Sequence, residues 1–350
     1  MIEANVALEV PSSPLAGSGY VGAVDLGGTK ILAAIVAPNG EIVARAKKST
    51  GKDGRPRPVI DRIAAAVREA THQANVEVGQ LRAVGIGAPG PVDAARGVLR
   101  TAPNLDGWED VPLADELSGR LGVPVGLDND VRVAVLAEQA AGAGRGARNW
   151  IAIWPGTGVG GGVVLDGQLW RGTTGSAGEL GHITVKAGGP RCGCGAKGHL
   201  EALASRTGVV REIARRVKKG HRTSLERLAK GGDVENAKSG DLAEAYAQGD
   251  KETVRALNRA AKYLAIGIAS VANTVNPELV VLGGGLVEAL GEPFVRRVEK
   301  ELRGRPMVAA TDAVRVAQSQ LGDDAGIVGA ALVARRLAAA SPDGQAHGGS

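Results

Sequence analysis

Two cysteines and two of the five histidines of this chain fall within eighteen residues, as His182, Cys192, Cys194 and His199. Two thiolates and two imidazoles are a donor set for tetrahedral zinc, and four protein ligands close its shell. Such a zinc is structural, because no position is left open for a water to be activated. The alternative is two buried free thiols beside two unrelated histidines. Glu179 (in GELGH) and Glu201 (in CGCGAKGHLE) bracket the cluster. A loop fixed by metal would present both carboxylates as acceptors for ligand hydroxyls.

A second set of residues suits phosphate. In Asp25-Leu-Gly-Gly-Thr-Lys30 an apolar run ends in an acid, two glycines and a Thr. Gly27 and Gly28 let backbone N–H groups approach phosphate oxygens, and Thr29 and Lys30 add donors. Asp25 is suited to hold Mg²⁺ through water. A plain hairpin is the other reading. Gly156-Thr-Gly-Val-Gly-Gly-Gly162 repeats the theme with Thr157 and Gly158, and two such loops together can clamp a triphosphate. Gly283-Gly284-Gly285 follows the apolar LVVL. It forms either a surface on which a flat ring such as adenine can lie, or a tight strand-to-helix turn.

Asp128-Asn129-Asp130 follows PVGL. A carboxylate at a strand end can take a proton from a substrate hydroxyl, the one base that phosphoryl transfer needs. The rival is a helix N-cap, where Asp and Asn are favoured. Asn104 of NLDGW offers a donor and an acceptor to a vicinal diol. That stretch and the Ala88-Pro-Gly-Pro-Val92 loop can equally be ordinary turns.

The elements that must position these residues follow from the pattern. YVGAVDLGG, ILAAIVAP and EIVARAKKS read as three strands in succession, with hairpin chemistry at Asn39-Gly40. Residues 57–75 have helical spacing, LRAVGIGA is a buried strand, 125–127 a short one, and 131–141 a helix. WIAIWPGTGVGGGVVLDGQLWRG then repeats strand, Gly/Thr turn, strand, turn, strand. Beyond residue 200 the chain is mainly helical, with a strand at ELVVL and a last helix in DDAGIVGAALVARRLAAA. This duplication is the plan of an α/β, actin-like ATPase fold: two lobes with a nucleotide cleft. The expected division is a flexible extension over 1–18, a small lobe over 19–130 plus 323–340, a large lobe over 131–322 with its metal loop at 182–201, and a disordered tail over 341–350.

Composition sets the bounds. The 350 residues are 44% hydrophobic but only 2% aromatic, so two lobes must be filled by Val, Ile, Leu and Ala. No apolar run approaches the ~20 residues of a membrane span. The first twenty residues lack the basic start of a signal peptide. Two cysteines two residues apart argue against a disulfide framework and for a reducing cytoplasm. The net charge is +5, and Arg211 to Arg222 form a basic run. Without aromatics for base stacking, the run reads as a solvated helix end rather than a nucleic-acid site. It is also a conceivable handle for polyphosphate as an alternative donor.

Taken in order, DLGGTK, GAPGPVD, NLDGW, DND, GTGVGGG, GELGH, CGCGAKGHLE and NPELVVLGGG resemble the ROK family of bacterial sugar kinases and repressors, from about Tyr20 to Ala338. The resemblance implies an actin/hexokinase-like (ribonuclease H-like) fold and transfer from ATP to a sugar 6-hydroxyl with Asp130 as base. It implies sugar contacts from Asn104, Asn129, Glu179, His182 and Glu201, with His182 also on zinc. It puts ATP against Thr29, Lys30, Thr157, Gly158, Gly284 and Gly285.

Three positions depart from the family pattern: His199 replaces a third cysteine, Asp128 a Glu, and Arg132 a small residue. Repressors of the family carry a winged-helix domain ahead of the kinase-like body, whereas 24 residues precede Asp25. A catalytically silent sugar sensor is a further alternative. Glucose is the expected acceptor, because Asn129 stands between the two acids as in glucokinase-like members. Mannose, fructose, allose and N-acetylhexosamines are the other candidates. A homodimer or higher homo-oligomer is expected, with neither nucleic acid nor membrane as partner.

Overall fold

The computed structural model describes residues 13–51, 54–102, 105–304 and 313–340. The described chain divides into two compact units, one ending at Ala140 and resuming at Asp324, the other spanning Ala141–Asp323.

In the first unit, β1 (Tyr20–Leu26), β2 (Lys30–Val36) and β3 (Ile42–Ser49) form an antiparallel meander. Its second turn contains Asn39-Gly40, where Gly40 takes φ 86°, a left-handed backbone that glycine adopts without strain. β4 (Leu81–Ala88) adds in parallel to β1. A small antiparallel sheet of β5 (Val92–Asp93), β6 (Val98–Thr101) and β7 (Glu109–Val111) follows. β8 (Val125–Asn129) then adds in parallel to β4, which completes the order β3-β2-β1-β4-β8. β4 is buried along nearly its whole length, as a strand covered on both faces must be.

The helix Ala325–Ala340 packs on β1, β4 and β8. It comes very close: a Cβ at Gly85 would lie 1.9 Å from the Ala330 carbonyl, and one at Gly329 would lie 1.8 Å from the Val133 carbonyl. Alanine and glycine therefore do here what large side chains do in other cores. The same helix sends Arg335 back to the carbonyls of Leu15, Ser18, Gly19 and Ala37. Leu15 is buried, so Ser13–Ser18 are held in place rather than forming part of a flexible extension. Residues 1–12 and the expected tail at 341–350 lie outside the described residues.

In the second unit, β9 (Trp150–Pro155), β10 (Val159–Leu165) and β11 (Gln168–Leu169) form another antiparallel meander. β12 (Leu279–Leu282) joins β9 in parallel, and β13 (Arg315–Gln318) joins β12 in parallel. The order β11-β10-β9-β12-β13 repeats that of the first unit, strand for strand. Its core joins Ile151, Ile153 and Val280 to the Ala-rich helix Lys251–Val275 and to Phe294, the chain's single phenylalanine. The helix Asp130–Ala141 was expected to open this second lobe at residue 131. It leads directly from β8 and lies in the first unit up to Ala140.

Candidate functional site

At one end of the first sheet, three loops meet because their strands are parallel neighbours. Asp25 lies opposite Gly87 on β4, and Ala88 lies opposite Asn129 on β8. The turn after Asp25 is closed by the Gly27 N–H on the Lys30 carbonyl at 2.8 Å. Buried Thr50 secures it, donating its hydroxyl to the Gly27 carbonyl at 2.7 Å and its N–H to the Thr29 carbonyl at 3.1 Å. Thr29 and Lys30 are exposed. Thr50 has no motif in sequence; only the fold brings it under the turn. Asp25 packs against the start of the last helix, where a Cβ at Gly326 would come within 2.9 Å of its carboxyl carbon.

Asn129 organises the turn after β8. Its side-chain oxygen accepts the N–H groups of Val131 and Arg132 at 3.0 and 3.1 Å, as an N-terminal cap does. Its amide nitrogen donates to the Gly90 carbonyl at 3.1 Å and to Asp130 Oδ1 at 2.8 Å. Asp130 Oδ1 also accepts the Val131 N–H at 2.8 Å. The capping role and the carboxylate role are thus both present, divided between Asn129 and Asp130, and Asp130 is half-buried at the first position of its helix.

Arg132 turns inward. Its Nη1 lies 3.5 Å from Asp128 Oδ1, with side-chain exposures of only 5% and 1%. Asp128 Oδ1 also accepts the Asn129 N–H at 2.9 Å. Two of the three departures from the family pattern therefore answer each other, one helical turn apart. Asn104 lies outside the described residues.

The second unit repeats the arrangement. β9 and β12 are parallel with Ile153 opposite Leu282, so the Gly156–Gly158 turn and the Gly283–Gly285 cluster lie at the same end of the sheet. Ser205 caps the helix Arg206–Val217 through the Gly208 N–H. The start of that helix grips Thr157: Arg206 Nη2 donates to its Oγ1 at 3.0 Å and Thr207 Oγ1 to its carbonyl at 2.8 Å. The three late glycines differ in purpose. A Cβ on Gly283 would meet the Trp154 ring at 2.5 Å, and one on Gly284 would meet the Pro155 carbonyl at 2.9 Å. Gly285 has open space around it, its nearest neighbour being Ser239 Oγ at 4.0 Å. Only at Gly285 is the glycine left unexplained by packing.

His182, Cys192, Cys194 and His199 come together, with one ligand atom from each lying within 4.8 Å of all the others. Cys192 Sγ is 3.8 Å from His182 Nδ1, and Cys194 Sγ is 3.3 Å from His199 Nδ1. Zinc–sulfur bonds of about 2.3 Å and zinc–nitrogen bonds of about 2.0 Å place tetrahedral neighbours about 3.3–3.8 Å apart. Both Cys–His spacings fall in that range, and the donor set suits zinc, with His199 supplying an imidazole at the fourth position. Burial, with Glu201 alongside, pushes the Cys192 thiol up to about 12.

Glu201 ties this loop to the Gly/Thr turn. Its Oε1 accepts the Cys192 thiol at 3.1 Å and its Oε2 accepts the Val159 N–H at 3.1 Å. Its nearness also explains Gly158, where a Cβ would lie 2.5 Å from Oε2. Both Glu201 oxygens thus carry protein partners. Glu179 is exposed, and its side chain makes no hydrogen bond or ion pair among the described residues, while its carbonyl accepts the His182 N–H at 3.0 Å. It precedes the 3₁₀ turn Leu180–His182, which lies so close to β10 that a Cβ on Gly181 would overlap the Val159 carbonyl at 1.9 Å.

Duplicated sheets of one strand order, each ending in a glycine-rich turn, make an α/β fold of the actin/hexokinase-like type. The chain belongs to the ROK family, whose model matches residues 21–337. It is 38% identical over 310 residues to a glucokinase of Thermotoga maritima, covering 89% of this chain and 95% of that one. A solved ROK family glucokinase from Streptomyces griseus, in complex with glucose and AMPPNP, matches with a TM-score of 0.76 at 36% identity, over 91% of this chain and all of that one. A xylose repressor of Caldicellulosiruptor bescii is 29% identical over 89% of this chain and 77% of its own length.

Proposed function

We propose that this chain is an ATP-dependent hexose kinase that phosphorylates the sugar 6-hydroxyl, with glucose as its preferred acceptor. The observation that carries the reading is the end of the first sheet, where β1 runs into the Asp25–Lys30 phosphate-type turn and β8, one strand away across β4, runs into Asp130. Glucokinases at 38% and 36% identity, one of them solved with glucose and AMPPNP, support it.

Asp130 orients the 6-hydroxyl and takes its proton as the oxygen attacks the terminal phosphorus; the bond from that phosphorus to the ADP oxygen breaks, and ADP leaves. Asn129 holds Asp130 in place by the 2.8 Å bond to Oδ1. Asn129, Asn104, Glu179, His182 and Glu201 hold the sugar. Gly27, Gly28, Thr29, Lys30, Thr157, Gly158, Gly284 and Gly285 line the nucleotide. Mg²⁺ near Asp25 would neutralise phosphate charge. Zinc held by His182, Cys192, Cys194 and His199 would brace the loop that carries the sugar contacts. Among the described residues, no helix is long and apolar enough to cross a membrane, and both cysteines are free thiols. The same proposal places the enzyme in the cytoplasm as a homodimer or larger homo-oligomer, a point that sedimentation would test.

The test is ADP release, followed by a coupled assay, with glucose, mannose, fructose, N-acetylglucosamine, N-acetylmannosamine and no sugar. Rapid ADP release with glucose is expected. Silence across the panel, with sugar still raising the melting temperature, would replace the kinase by a sensor.

A further inference from the structure

Beside the metal loop, and wholly within the second unit, lies a cavity of about 390 Å³. Six charged side chains line it: Lys186 from the loop, Arg211, Glu212 and Arg215 from the helix Arg206–Val217, and Arg255 and Arg259 from the helix Lys251–Val275. Five are cations and one is a carboxylate. We propose that this cavity is a binding site for a compact anion of two or more charges, of the phosphate-ester or condensed-phosphate class.

The charges are not balanced internally. Glu212 is held by Arg215 Nη2 and by Arg259 Nη1, each at 2.7 Å. Burial alone would raise its carboxyl, but these two partners outweigh it and keep the group below its usual range, so it stays ionised. Glu212 is thereby fully engaged, and three cations remain. Arg211 gives one bond, at 3.0 Å, to the Arg191 carbonyl and keeps its other donors. The Lys186 side chain makes no hydrogen bond or ion pair among the described residues, and Arg255 feels Glu252 only through space, that carboxylate being already paired with Arg216.

The basic run read from sequence thus divides by role. Arg216 pairs with Glu252, and Lys218 pairs with Glu235 at 2.8 Å, as on an ordinary solvated face. Arg211 and Arg215 instead face a concavity that two other segments also line with cations. On a convex surface such charges spread into water. In a cavity they focus a positive field and offer the forked donors that suit phosphate oxygens. Leu203 and Val209 add an apolar wall, which leaves room for the carbon skeleton of an ester.

Calorimetric titration of the zinc-loaded full chain tests the site, with Mg·AMPPNP saturating so that the nucleotide turns do not compete. The probes are inorganic pyrophosphate and glycerol 3-phosphate, which separate a condensed phosphate from an ester. At least one should bind once per chain, and more weakly as salt rises. The double variant Lys186→Ala/Arg255→Ala should bind about tenfold or more weakly, with kcat for glucose unchanged. Arg255→Gln alone should give a smaller loss. Equal affinity in the double variant, or no binding of either probe to the wild type below about 5 mM, would overturn the site. The readout is heat of binding rather than turnover, so failure of the kinase reading leaves it intact.

Discussion

Asp130 sits where a helix begins, and the cap of that helix is Asn129, whose side-chain oxygen accepts the Val131 and Arg132 N–H groups. Asp130→Asn keeps the size and the helix but removes the base. We expect kcat to fall about 10³-fold, with glucose affinity by titration changed less than about threefold; wild-type turnover would refute the assignment. Arg132 and Asp128 make a different argument. A buried carboxylate without its cation is strongly destabilising, more so than the pair is stabilising. Arg132→Ala should lower stability by about 3 kcal/mol in urea. The double variant with Asp128→Ala should lose less than the two single losses combined, by about 1 kcal/mol or more. Additive losses would mean that the two side chains act independently. The sequence presents these residues as two separate oddities, because the link between them is a helical turn at the end of a buried strand, visible only once β8 and its helix are in place.

Among the elements, the loops were legible in sequence because glycine, threonine and acid at a strand end leave few other uses. The Cys/His cluster was the clearest of all: cysteine is so scarce here that two cysteines and two histidines within eighteen residues stand out, and the fold does bring the four together. What the sequence does not disclose is how the elements are joined. Glu201 reads as a sugar ligand from its motif; only the fold shows that its carboxylate also lies between the metal loop and the Gly/Thr turn, accepting the Val159 N–H and, with Cys192 protonated, the Cys192 thiol. Cys192→Ser removes one of the four candidate ligands and should release zinc, measured by elemental analysis. It should raise the glucose KM about tenfold or more while the ATP KM changes less. Retention of one zinc per chain by this variant would rule out the ligand set.

At the scale of the whole molecule, the duplication was readable because each half repeats one rhythm, and the two sheets share one strand order. The start of the described chain was not readable. Pro, Ser and Gly near the start look loose, and the Arg335 contacts that hold Ser13–Ser18 come from more than 300 residues away. Each unit has its own core, one built around Val24, Ile63 and Ile86, the other around Ile151, Leu264 and Val280. This separation makes two perturbations local. Arg335→Ala removes a charged donor from four carbonyls and should cost the first unit about 2 kcal/mol. Chelation of zinc acts on ligands that all lie within the second unit. Hydrogen exchange resolved along the chain should then show faster opening in 13–140 for the variant and in 141–323 for the chelated protein. If either treatment loosened both units equally, the chain would open as one cooperative body, and two cores would not mean two folding units.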